Sequence, residues 1–218
     1  MIDYFAKFFK LPFLEPYLKK DGDFSHGANF AVAGATAMNC STLAKDDIKN
    51  CPIKSSLLVQ LDWFESHLHS ICSTVSECRE RLAKSLILMG EIGGNDYNWA
   101  LSQRNSMDEI YKMVPGVVHV IKMAIQKVIN LGAIRIIVPG NFPIGCMTIV
   151  LNIFKTNDLS MYDELQCLKH FNVFAEFHNK KIQQVIGEVQ EDHPDVTIVY
   201  ADYYSALQEI LRNATSLG

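Results

Sequence analysis

Four short runs dominated by apolar residues recur along the chain: residues 29–33 (NFAVA), 85–89 (SLILM), 134–138 (IRIIV) and 196–200 (VTIVY). Each closes on turn-forming or polar residues. Continuous apolarity, as opposed to strict alternation, marks strands covered on both faces. Between the runs lie longer segments with helical spacing. Residues 56–72 bring Leu57, Leu61, Phe64, Leu68 and Cys72 near one face. Residues 107–131 form a second helix, with Pro115-Gly116 as a kink point and Gly132 as its terminator. Residues 162–189, with Leu165, Leu168, Phe171 and Phe174, form a third, and residues 203–211 a fourth. Strand and helix in alternation predict an α/β fold with a doubly wound parallel sheet. In such folds ligands bind beyond the carboxyl ends of the strands.

The 218 residues make one domain, with no repeat, low-complexity tract or linker to divide them. A net charge of −4 and a pI near 6.0, with the charges interspersed, disfavour nucleic acid and anionic membrane as partners. No uninterrupted apolar run reaches the ~20 residues of a membrane helix. The opening MIDYFAKFFKLPFLEPYL does not fit a signal peptide, because Asp3 comes before any basic residue and Lys7 and Lys10 break the apolar part. It predicts an amphipathic helix ended near Pro12. The six cysteines include no CxxC pair, so no zinc site is expected. Their even number permits disulfides, and Cys72 and Cys78 can close a short loop. Sequons at Asn39 and Asn213 are candidate glycosylation sites and hint at a secreted ancestor, against the missing signal peptide.

Two strand-to-loop junctions carry unusual residues. In residues 27–37 (GANFAVAGATA) a run ends on Gly34 among small side chains, so backbone N–H groups can approach a ligand. In residues 88–97 (LMGEIGGNDY) another ends in a glycine-rich turn that presents Asn95 at a helix start. These two stretches resemble the second and third blocks of the GDSL, or SGNH, hydrolases. Residues 138–146 (VPGNFPIGC) and the helix around 165–179 (LQCLKHFNVFAEFHN) look like further landmarks of the plant branch, nearest those that include acetylajmalan and sinapine esterases. The resemblance spans nearly the whole chain in order. It implies a flavodoxin-like three-layer sandwich, a small-molecule carboxylic ester as substrate, and a Ser-His-Asp mechanism with neither metal nor cofactor. It also implies export to the extracellular space or the vacuole. By the same resemblance Gly34 and Asn95 supply oxyanion-hole donors. Rigid donors aimed at developing charge each contribute ~3–4 kcal/mol to the transition state.

The chain departs from the family's pattern at the reacting groups. It contains no Gly-Asp-Ser, and no Asp-x-x-His block follows its last predicted helix. It is therefore expected to be an incomplete domain that lacks its first strand, its nucleophile and its catalytic histidine, and to be inactive as it stands. None of His26, His67, His69, His119, His170, His178 and His193 forms a convincing replacement. His67 and His69 point to different helix faces, and Ser25-His26 are adjacent residues whose side chains diverge. The bland readings remain open: Gly34 can serve packing alone, and Asn95 can serve as a helix cap. Two other functions stay in play: a non-catalytic ester- or partner-binding protein, and an unrelated flavodoxin-like binding domain, which lacks support from any GxGxxG or P-loop. The missing first strand would separate the runs containing Phe30 and Leu88. Without it, either their edges stay unpaired or the two runs pair directly and narrow the sheet to four strands. The isolated chain is thus expected to be marginal or prone to aggregate; a sharp, cooperative thermal melt of soluble monomer would contradict this.

Overall fold

The β-branched run Ile136-Ile137-Val138 forms the middle of a three-stranded parallel sheet, and the other elements are arranged about it. The computed structural model describes residues 2–46, 48, 51 and 53–217. In chain order the elements are α1 (Ile2–Phe8), α2 (Cys40–Leu43), α3 (Leu57–Ile71), α4 (Val75–Ala83), β1 (Ile87–Leu88), α5 (Gly94–Ser102) and α6 (Met107–Leu131). There follow β2 (Arg135–Pro139), α7 (Thr148–Ile153), α8 (Lys169–Asp192), β3 (Thr197–Ala201), α9 (Tyr203–Arg212) and α10 (Ala214–Leu217). The sheet order is β1-β2-β3, with Leu88 beside Ile137 and Ile137 beside Val199. Parallel neighbours require crossovers, which α5–α6 and α7–α8 supply. The α/β class expected from the alternation holds.

Helix α6 shows how sequence fixes an element. Ser106 and Glu109 form a reciprocal capping box at its start, with Ser106 N–H donating to Glu109 Oε2 at 2.7 Å. Gly132 ends it at φ 121°, where its N–H meets the carbonyls of Val128 and Ile129. The helix continues through Pro115. Val117, Ala124, Ile125 and Val128 are buried in the core, where α6 packs on α3, α4, α5 and α8. Among the described residues α6 is the one helix long and apolar enough to cross a membrane, yet its apolar stripe is spent on the core.

Three expectations are corrected. The run 29–33 is no strand: it makes only a single bridge, Asn29 with Pro16, through Asn29 N–H to Glu15 O (2.9 Å) and Tyr17 N–H to Asn29 O (2.8 Å). Among the described residues no strand lies beside it, and Ala31 and Ala33 face solvent. It does not pair with β1, so the four-stranded alternative is not formed. The helix expected over 162–189 starts only at Lys169. Ahead of it Asp163 Oδ1 accepts from the N–H groups of Leu165 and Cys167, Gln166 sits at φ 60°, and Cys167 is bonded to Cys146. That local turn competes with the helix. The opening segment does form a helix, but only Ala6 of it is buried, while Tyr4 and Phe8 stay exposed. The six cysteines form the pairs Cys40–Cys51, Cys72–Cys78 and Cys146–Cys167.

Helix α8 also fixes the loop beyond β2. Asn179 clasps the backbone of Asn141, accepting from its N–H at 2.7 Å and donating to its carbonyl at 2.9 Å. Two turns earlier, Asn172 accepts from Gly145 N–H at 2.9 Å. Residues seven apart share a helix face, so one face of α8 holds both ends of this loop. Replacing Asn179 by Leu leaves a buried N–H and a buried carbonyl unpaired. Urea unfolding should then show a loss of about 2–4 kcal/mol.

Candidate active site

The site is assembled by a buried carboxyl. Asp96 lies in the first turn of α5, is fully buried, and accepts from Ala37 N–H at 2.8 Å and Met38 N–H at 2.9 Å. Burial pushes its carboxyl up to about 7; the N–H groups of Met38, Ala37 and Asp96 itself pull the other way, and the charge of Glu91 adds to the rise. Beside it, the Asn95 side-chain amide donates to Ala35 O at 3.0 Å. Two adjacent side chains on α5 thus grip residues 35–38 at three points, and Gly34 is carried in with them.

Gly34 has φ 79°, the left-handed region that favours glycine. A side chain there would also press on Ile53, 3.3 Å from Cγ1. Gly93 precedes α5 at φ 102°, and a Cβ on it would lie 2.9 Å from Val117 Cγ1. Gly93, not Asn95, occupies the cap position of α5. The Asn95 amide is therefore free of capping duty. One of its N–H groups is held by Ala35 O, which leaves the second as a donor of fixed direction. Beneath the turn, Tyr97 OH and His178 Nδ1 lie 2.7 Å apart, both buried, and burial lowers the His178 imidazole to about 4. His178 is a neutral packing residue here.

A family model for the GDSL-like lipases and acylhydrolases matches residues 1–215. The chain belongs to this family. A GDSL esterase/lipase of Arabidopsis thaliana is 41% identical over 220 residues, covering 100% of this chain and 55% of the relative. Acetylajmalan esterase 2 of Rauvolfia serpentina is 41% identical over 219 residues, covering 100% of this chain and 59% of the relative. A further Arabidopsis thaliana GDSL esterase/lipase is 44% identical over 186 residues, 85% of this chain and 57% of the relative. The chain thus spans little more than half the length of these relatives.

Of the residues the GDSL resemblance singled out, Gly34 and Asn95 are brought together through Ala35. The sequons are elsewhere: Asn39 Oδ1 caps α2 by accepting from Thr42 N–H (2.9 Å), and Asn213 is exposed between α9 and α10. His67 is buried and His69 exposed, as expected for opposite helix faces. Near the amino end, Asp23-Phe24-Ser25-His26 does have Asp-x-x-His spacing. It forms an exposed local turn in which Asp23 accepts from Ser25 N–H at 2.9 Å. Among the described residues no cluster of three His, Cys, Asp or Glu could hold a metal.

Sequence reasoning missed Asp96 and Glu91. Asp96 was visible as a carboxyl one residue after Asn95, but nothing in the sequence points it at residues 37 and 38. Replacing Asp96 by Ala leaves both N–H groups without an acceptor. The expected loss is about 2–5 kcal/mol in urea unfolding, and Asp96→Asn, which keeps one acceptor, should lose less.

Proposed function

We propose that these residues form the carbonyl-holding part of a serine carboxylic-ester hydrolase. The Gly34 N–H and the second N–H of Asn95 would receive the oxyanion of a tetrahedral intermediate, in a reaction that needs neither metal nor cofactor. The observation that carries this reading is the three-point grip of α5 on residues 35–38, which fixes a left-handed glycine and a carboxamide relative to each other. Donors held rigidly before charge develops stabilise it without reorganisation. An ester is the fitting ligand, since its carbonyl oxygen accepts such donors in the ground state and accepts them more strongly once anionic.

The 218 residues contain no Gly-Asp-Ser. By themselves they would therefore bind an ester carbonyl without forming an acyl-enzyme, which makes an ester-binding role the reading for this chain in isolation. Three disulfides favour an oxidising compartment, in keeping with export, and exposed Asn213 is the more accessible of the two glycosylation candidates. A fluorophosphonate probe labels only an activated serine. It should leave the 218-residue protein unlabelled, and aryl acetate turnover should equal that of buffer. In a longer chain that supplies Gly-Asp-Ser and a carboxyl-terminal Asp-x-x-His, Asn95→Ala should lower kcat by roughly a hundred- to a thousand-fold with a smaller change in KM. Aryl acetate turnover by the 218-residue protein that disappears in Asn95→Ala would overturn the proposal.

A further inference from the structure

Two polar side chains flank the turn that carries Asn95. A Cβ placed on Gly94 would lie 2.7 Å from Glu91 Oε1 and 3.6 Å from Asn141 Oδ1. Both groups stand beyond the carboxyl ends of strands, Glu91 after β1 and Asn141 after β2. Asn141 is 1% exposed, and neither its Nδ2 nor its Oδ1 has a hydrogen-bond partner. Its backbone cannot shift to find one, because Asn179 clasps it at both N–H and carbonyl. Only the side-chain torsions of Glu91 and Asn141 remain to bring the two together.

Their chemistry decides which protonation state allows this. A carboxamide offers donors at Nδ2 and an acceptor at Oδ1, whereas a carboxylate offers acceptors only. Ionised Glu91 can serve Nδ2 but sets oxygen against oxygen at Oδ1. A protonated carboxyl donates its O–H to Oδ1 and accepts from Nδ2, so both groups are satisfied at once. We propose that Glu91 keeps its proton and closes a two-bond acid–amide pair with Asn141, which holds the Gly94-Asn95 turn against the tip of β2. Glu91 is then a positioning residue for Asn95, an inference that rests on reading Asn95 as the carbonyl donor.

The surroundings favour the uncharged form. Burial raises the Glu91 carboxyl to about 7. The titratable groups that interact with it are Asp96 on α5 and Tyr203 at the start of α9, and both are acids. Asn141, beyond the tip of β2, is uncharged. Because the folded value lies above the unfolded 4.5, the contribution of Glu91 to stability is complete below pH 4.5 and is lost as pH rises through about 7.

The test follows the side-chain amide resonances of Asn95 and Asn141 in the ¹⁵N-labelled 218-residue protein, from about pH 5 to about 9. Both should move together with one midpoint near neutrality. Glu91→Gln, which can form an amide–amide pair, should hold Asn95 at its low-pH position throughout and abolish the decline of stability over the same range. Different midpoints for the two amides, no titration in the unmodified chain, or an unchanged titration in Glu91→Gln would each overturn the proposal. The unmodified chain alone decides it should the variant fail to fold. Addition of p-nitrophenyl acetate separates the two readings: an Asn95 amide that titrates but ignores the ester refutes the carbonyl-binding role and leaves the pair standing.

Discussion

The carboxyl of Asp96 is the contact on which the site depends. It takes two backbone N–H groups from residues that lie almost sixty positions earlier, in a segment with no strand partners of its own. Buried N–H groups must be paired, and here one side chain pairs two of them. Because Asn95 is its neighbour, the same helix turn that satisfies residues 37 and 38 also delivers a carboxamide to Ala35 O. The glycine and the asparagine of the family pattern are therefore coupled through Asp96, and their geometry is a by-product of satisfying buried backbone.

A second set of side-chain-to-backbone bonds performs the same service beyond the end of β2. The loop after β2 contains Gly140 and Pro143, and beyond the bond from Gly140 N–H to Ala201 O it has no sheet ladder among the described residues. Asn172 and Asn179 on α8 supply the missing partners, and the Cys146–Cys167 bond ties the loop to the start of that helix. Gly145 is hemmed in by Leu168 O and Asn172 Oδ1, so no larger residue fits there. The loop is thus held at both ends, and the Asn141 side chain stands beside Gly94 on a clasped backbone. Carboxamides bind both N–H and carbonyl groups without carrying charge into the core, which suits them to this work.

The three central strands and the long helices were legible because they follow local rules. Residues 134–138 and 196–200 are short, apolar and bounded, and they became β2 and β3 within a residue or two. Helix α6 has a capping box and a terminal glycine written into its sequence. Residues 29–33 have the same apolar look and failed to become a strand, since a strand exists only with a neighbour whose backbone pairs with it. The start of α8 was misjudged for a related reason: Asp163 and the Cys146–Cys167 bond oppose a helical propensity that residues 162–168 otherwise share.

By itself, then, the sequence determined the α/β class, the family and the elements with strong local periodicity. Only the tertiary structure decided that Asp96 is the clamp, that Asn95 is not a cap, that α8 holds the loop beyond β2, and that Glu91 and Asn141 both flank Gly94. The physical reason is separation along the chain. Periodicity and capping act over a few residues and leave a mark in the order of amino acids. Burial of a carboxyl and the satisfaction of a distant N–H depend on which segments are brought together, and no local pattern encodes that.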